Sequence, residues 1–151
     1  MSSPRKFQLP RTYPTRIAQA SVRAAAARPR SGAASRVALV VDDEPLVRGL
    51  ISRVLRLRGW SVIEAADGSS ALAAAPENLD LLVTDYEMPS VTGLTLARQL
   101  RRRHSRLPVV MVSGHPEVEG QLDGLIGPRI GFVGKPFPVE ELLSTIGSIT
   151  H

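Results

Sequence analysis

Five short apolar runs, each followed by an amphipathic or loop segment, constrain this chain more than any other feature. Val37–Val41 is continuously apolar and stops at Asp42-Asp43. Leu46, Val47, Leu50, Ile51, Val54 and Leu55 then recur at the spacing of one helical face, with Arg48, Arg53 and Arg56 off it. Pro45 suits the first helical turn and Gly59 the stop. Ser61–Ala65 reads as a second strand and Gly68–Ala75 as a short helix ended by Pro76. Leu79–Asp85 is a third strand, and Gly93–Arg103 a helix. Pro108–Ser113 holds a fourth buried strand and Ile130–Gly134 a fifth. Pro138–Ile149 closes the chain with a helix carrying Leu142, Leu143 and Ile146. Continuous apolar strands alternating with amphipathic helices predict an α/β fold, a parallel sheet covered on both faces. The weakest element lies between Pro116 and Pro128. It holds Gly120, Gly124 and Gly127, so its helix is expected to be short or loose.

The pattern begins only near Ser35. Residues 1–35 form a separate segment, and 36–151 a single domain. Residues 1 to 36 carry Arg5, Lys6, Arg11, Arg16, Arg23, Arg28, Arg30 and Arg36 and no acid. Of the 19 basic residues in the chain, 11 therefore remain to face all 14 acids, and the body is mildly acidic. That argues against a nucleic-acid-binding body. The first segment is rich in Pro, Ser, Ala and Arg with no lasting apolar period, the composition of a disordered tail. Three other readings stay open: residues upstream of the true start, an arm that contacts nucleic acid, membrane or a partner, and a transit peptide. No run approaches the about 20 apolar residues needed to span a bilayer, and no secretory h-region is visible. A soluble, cytoplasmic chain is expected. The absence of cysteine excludes disulfides, thiol nucleophiles and Cys-ligated zinc.

In a doubly wound sheet, ligands bind beyond the carboxyl ends of the strands. Here those ends carry Asp42 and Asp43, then Asp85, then Ser113, and Lys135 just after the last strand. Taken singly, each reads as a helix cap. Together they are three carboxylates, a hydroxyl and an amine on one edge. Three adjacent carboxylates repel unless a cation lies among them, and oxygen ligands suit Mg²⁺. A metal and a lysine beside one carboxylate suit phosphoryl transfer, with that carboxylate as nucleophile.

This arrangement resembles the receiver domain of two-component response regulators. The matching residues are Val40-Val41-Asp42-Asp43-Glu44-Pro45, Asp85-Tyr86-Glu87-Met88-Pro89 with Gly93 following, Val112-Ser113-Gly114, and Phe132-Val133-Gly134-Lys135-Pro136-Phe137. The resemblance spans roughly residues 37 to 150. It implies a five-stranded flavodoxin- or CheY-like (βα)5 fold with strand order 2-1-3-4-5. Asp85 would be the phosphoacceptor. Asp42 and Asp43 would hold Mg²⁺ with Asp85, Asp43 directly and Asp42 mainly through water, and the backbone carbonyl of Glu87 would complete the protein ligands. Ser113 would be the switch hydroxyl, and Lys135 would pair with the phosphoryl oxygens. Gly114 would leave room for the donor, and Pro136 would follow a cis peptide bond. Phe132 would be the switching aromatic, working by packing alone because it lacks the hydroxyl of the Tyr often found there.

The implied function is a phosphorylation-controlled signalling receiver. A histidine kinase or histidine phosphotransfer protein would supply the phosphoryl group. The chain would not be an enzyme, although it would assist its own phosphorylation and dephosphorylation. No output domain follows Ile149 in this sequence, so a single-domain regulator acting on a downstream protein target, or a relay intermediate, is expected. The fourth and fifth strands and the Pro116–Pro128 loop would shift on phosphorylation. Two competing readings are an aspartyl-phosphate phosphatase, with Glu87 as its second acid, and a receiver whose basic tail binds nucleic acid. Arg101, Arg102, Arg103 and Arg106 read as a solvated helix end, or as a docking patch. His104, His115 and His151 read as surface residues, and Trp60 as packing.

Overall fold

The computed structural model describes residues 35–120, 122 and 128–150. The basic segment assigned to 1–35 lies outside them except for Ser35, as do Gly124, Gly127 and His151. Five strands form one parallel sheet: β1 (Val37–Val41), β2 (Ser61–Ala65), β3 (Leu81–Asp85), β4 (Val109–Ser113) and β5 (Ile130–Gly134). Their order is β2-β1-β3-β4-β5, with parallel pairing throughout. Helices α1 (Pro45–Leu57), α2 (Gly68–Ala74), α3 (Gly93–Arg103) and α4 (Val139–Ile149) accompany them. The expected fold class and strand order are therefore observed.

Local chemistry explains the boundaries. Pro45 opens α1, where a missing N–H costs nothing. Gly59 leaves α1 at φ +92°, a conformation that disfavours side chains. The Asp67 carboxylate caps α2 by accepting from the Ser70 amide at 2.7 Å, and the Thr92 hydroxyl caps α3 by accepting from the Thr95 amide at 3.2 Å.

Side chains alternate across the sheet. Leu39, Val41, Leu82, Val109 and Met111 pack on the side of α2 and α3, against Ala71, Leu96 and Leu100. Ala38, Val40, Leu81, Val83, Val110 and Val112 pack on the other side, against Ile51 and Leu55 of α1 and Leu142 and Ile146 of α4. Burial on both faces is why the central strands β1, β3 and β4 are so strongly apolar.

Several expectations need correction. Leu46 and Leu50 were placed on the buried face of α1 but are 88% and 44% exposed, and Leu57 is 65% exposed. The sheet takes a narrower stripe, with Ile51, Ser52 and Leu55 buried and Val47 half-buried against the core. The third strand starts at Leu81 rather than Leu79, because Asp80 turns its carboxylate to the Val37 amide at 2.9 Å. Strand β5 is only half-buried because it lies at the sheet edge. Between Pro116 and Pro128, where a short or loose helix was expected, the described residues form a 3₁₀ turn at Pro116–Val118 followed by helical residues at 119, 120 and 122, and Val118 and Leu122 reach the core. Arg101 is not a solvated cation. Its guanidinium donates to the carbonyls of Leu107 at 2.6 Å and Pro128 at 2.6 Å, tying α3 to the entries of β4 and β5.

Gly93 fixes how closely α3 approaches β3. A methyl group there would stand 2.2 Å from the Asp85 carbonyl oxygen and 2.9 Å from the Met111 sulfur. Gly93→Ala is expected to cost about 1–3 kcal/mol by overpacking. Urea denaturation checks this, and a loss below about 0.5 kcal/mol would contradict it.

Candidate functional site

Because every strand is parallel, all five carboxyl ends meet at one edge, and the polar residues read from the sequence meet there too. One carboxylate oxygen each from Asp42, Asp43 and Asp85 lies within 4.8 Å of the others. Asp42 and Asp85 are buried, whereas Asp43 is exposed. The Asp42 side chain is held from its own loop: its Oδ1 accepts from the Glu44 amide at 2.8 Å. The Arg48 guanidinium donates to the Asp42 carbonyl at 2.7 Å. Asp85 ends β3, and the next amide, of Tyr86, donates to the Val112 carbonyl at 2.8 Å, continuing the ladder to β4.

Lys135 enters from the turn after β5. Its amide donates to the Ser113 carbonyl at 2.8 Å, and the bond to Pro136 is cis, as the resemblance implied. Its Nζ stands 3.3 Å from Asp42 Oδ2 and 3.5 Å from Asp85 Oδ1. It lies closer to Glu44, at 2.9 Å. Neither Asp42 Oδ2 nor Asp85 Oδ1 has a hydrogen-bond partner of good geometry. The lysine is thus an ion-pair neighbour that leaves two buried carboxylate oxygens unsatisfied.

The electrostatics follow. Burial pushes the Asp85 carboxyl up to about 6, with Asp42 adding to the effect, Lys135 opposing it, and Glu87 and Asp43 adding smaller repulsions. Burial also raises Asp42. Lys135 loses affinity for its proton through burial, but Glu44, Asp42 and Asp85 outweigh that and hold it above the ordinary lysine range. Unpaired oxygens on a close acidic triad fit a hard divalent cation.

Ser113 is fully buried, yet its hydroxyl does not point to Asp85. It donates to Glu87 Oε2 at 2.7 Å and accepts from the His115 amide at 2.9 Å. His115 in turn lies 3.8 Å from Glu87 and 3.4 Å from Glu117. Phe132 is half-buried on β5 and packs against the core on the α2–α3 side. A Cβ built on Gly114 would meet nothing within 4 Å, so the approach beside Ser113 is open.

Two side chains, Glu44 and Glu87, have partners that the sequence does not announce. Glu44 belongs to a recognised motif, but only the distance to Lys135 shows that it holds the lysine. The Glu87 side chain is the partner of Ser113, not a bystander. His115 is exposed, as expected of a surface residue, whereas His104 is half-buried with Nε2 unpartnered. Nothing in the spacing of the sequence marks these contacts, because each joins residues from different loops.

Comparison with known proteins identifies the family and the fold. Residues 38–147 match the family model described as response regulator receiver domain. The probable transcriptional regulatory protein TcrX of Mycobacterium tuberculosis is 40% identical over 106 residues, covering 70% of this chain and 45% of that protein. The chain spans about half the length of the regulatory proteins that it matches. Chemotaxis protein CheY4 of Vibrio cholerae is 30% identical with a TM-score of 0.69, covering 77% of this chain and 99% of that one. Response regulator TrrA of Thermotoga maritima, solved in complex with Mg²⁺-BeF, is 27% identical with a TM-score of 0.66, covering 76% and 98%.

A raised carboxyl pKa means that folding of the metal-free protein is less favourable when Asp85 is ionised. The contribution of Asp85 is most favourable below its ordinary value of 3.8 and is lost as pH rises through about 6. Asp85→Asn is therefore expected to stabilise the metal-free protein at pH 7.5, by on the order of 2 kcal/mol, and much less at pH 4. Mg²⁺ should raise the melting temperature of the wild type more than that of the variant. An equal gain at both pH values would contradict this.

Proposed function

The chain belongs to the response regulator receiver domain family, and from that premise we propose that Asp85 accepts a phosphoryl group from a phosphohistidine donor and that this event switches a protein-binding surface. One observation carries the reading. A buried carboxylate ends the central strand with two further acids within 4.8 Å and a lysine at 3.5 Å. Asp42, Asp43 and Asp85, with the Glu87 backbone carbonyl, would hold Mg²⁺. The bound cation supplies charge neutralisation for the phosphoryl oxygens and keeps Asp85 ionised.

The chemistry then needs little more. A carboxylate oxygen of Asp85 attacks phosphorus, an O–P bond forms, and the P–N bond of the donor breaks. The imidazole leaves with the electron pair and takes up a proton. Lys135 exchanges Glu44 for a phosphoryl oxygen. Ser113 gives up Glu87 to donate to another phosphoryl oxygen, and β4, β5 and the loop between them move with it. Phe132, on β5, reports that movement through its packing. Glu87 therefore acts on the resting position of the hydroxyl. The bond it receives from Ser113 is charge-assisted and favours the unswitched state.

The chain acts as a signalling receiver in the cytoplasm, its own phosphoacceptor rather than an enzyme that turns over a substrate. No described helix is long and apolar enough to cross a membrane. The exposed leucines of α1, beginning with Leu46 directly after the acidic motif, offer a donor protein an apolar contact beside the acceptor. The phosphatase reading loses its second acid, because the Glu87 carboxylate is engaged by Ser113.

Phosphotransfer profiling against histidine kinases and histidine phosphotransfer proteins tests the proposal. Wild type should label in the presence of Mg²⁺ and lose the label with chelator. Asp85→Asn should lose it about a hundredfold or more, equivalent to roughly 2.7 kcal/mol in the barrier. Equal labelling of the variant would sink the assignment.

A further inference from the structure

The opposite edge of the sheet holds a second polar constellation that phosphotransfer does not use. A cavity of about 420 Å³ opens there, lined by Arg36 ahead of β1, Trp60 ahead of β2, Asp80 ahead of β3, His104 and Arg106 after α3, and Arg129 ahead of β5. Five-residue strands place it about 16 Å from the acceptor edge. We infer that this cavity binds a phosphate-bearing anion through Arg36, Arg106 and Arg129.

The charges there are not neutralised among the described residues. Arg106 and Arg129 have no ion-pair partner among them. The one carboxylate in the lining, Asp80, already accepts from the Val37 amide. Arg36 lies over the Trp60 ring at 4.2 Å, an aromatic contact rather than an ion pair. Next to them, the Arg101 guanidinium is destabilised first by burial and then by the charge of Arg129. Guanidinium groups lining one concave space attract a multiply charged anion, and their planar donors match phosphate oxygens.

The framework is also fixed in advance. Arg129 holds φ +65°, a left-handed conformation unusual for a non-glycine residue. Its carbonyl accepts from the Val109 amide at 3.0 Å, and Arg101 clamps the preceding carbonyl of Pro128. His104 adds a half-buried imidazole whose Nε2 has no hydrogen-bond partner. A cavity of this size admits a small organophosphate or a short stretch of phosphodiester backbone. The phosphate is common to both.

Trp60 is the only tryptophan of the chain, so its indole N–H resonance reports on the cavity directly. The full chain is titrated at constant ionic strength with sodium pyrophosphate, with ATP and with a short single-stranded DNA. At least one probe should shift the Trp60 resonance saturably, and the most tightly bound probe identifies the source of the phosphate. Arg106→Gln with Arg129→Gly should weaken that binding about tenfold or more, and glycine suits the backbone at 129. Unchanged labelling of Asp85 confirms that the double variant is folded; if it is not, Arg106→Gln alone carries the comparison, with weaker binding still expected. No saturable shift with any probe overturns the inference. So does unchanged affinity in the variants, which would assign the binding to the cations of the first 34 residues.

Discussion

Three carboxylates cannot share one sheet edge at close range without a cation among them, and the rest of this structure is organised around that constraint. The repulsion and burial that raise Asp85 to about 6 are tolerated because Lys135 stands on the other side. The lysine alone leaves oxygens of Asp42 and Asp85 unsatisfied. On the proposed function, a divalent ion and then a phosphoryl group would complete what the protein leaves incomplete. The site is thus held in a state of electrostatic need, and stability is traded there for reactivity.

At the same edge, the two groups proposed to switch, Lys135 and Ser113, each rest on a neighbouring acid. Glu44 holds Lys135 at 2.9 Å, and Glu87 holds the Ser113 hydroxyl at 2.7 Å. Glu44 is mostly solvent-facing and Glu87 is 42% exposed, so water reaches both contacts. On the proposed function, each satisfies a polar group that phosphorylation would recruit. Partners open to solvent suit a two-state element, since a new charge can replace them.

The sequence was most legible where one physical rule acts alone. Burial on both faces of a parallel sheet dictated unbroken apolar strands, and parallel direction placed Asp42, Asp43, Asp85, Ser113 and Lys135 on a common edge. It was least legible where tertiary contacts override periodicity. Leu46 and Leu50 fit a helical face that the sheet does not reach. Arg101 looked like a solvated helix end, yet it binds backbone carbonyls from two other segments. Glu87 and His115 acquired partners only through loops brought together by the fold, and no spacing rule encodes that.

Asp85, and no other acid of the cluster, is expected to become the acyl phosphate. Reduction with borohydride after phosphorylation converts an aspartyl phosphate to homoserine, and tandem mass spectrometry then reads the position. Homoserine is expected at position 85 alone. Homoserine at position 42 or 43, or none in protein that retains the phosphoryl label, would contradict it.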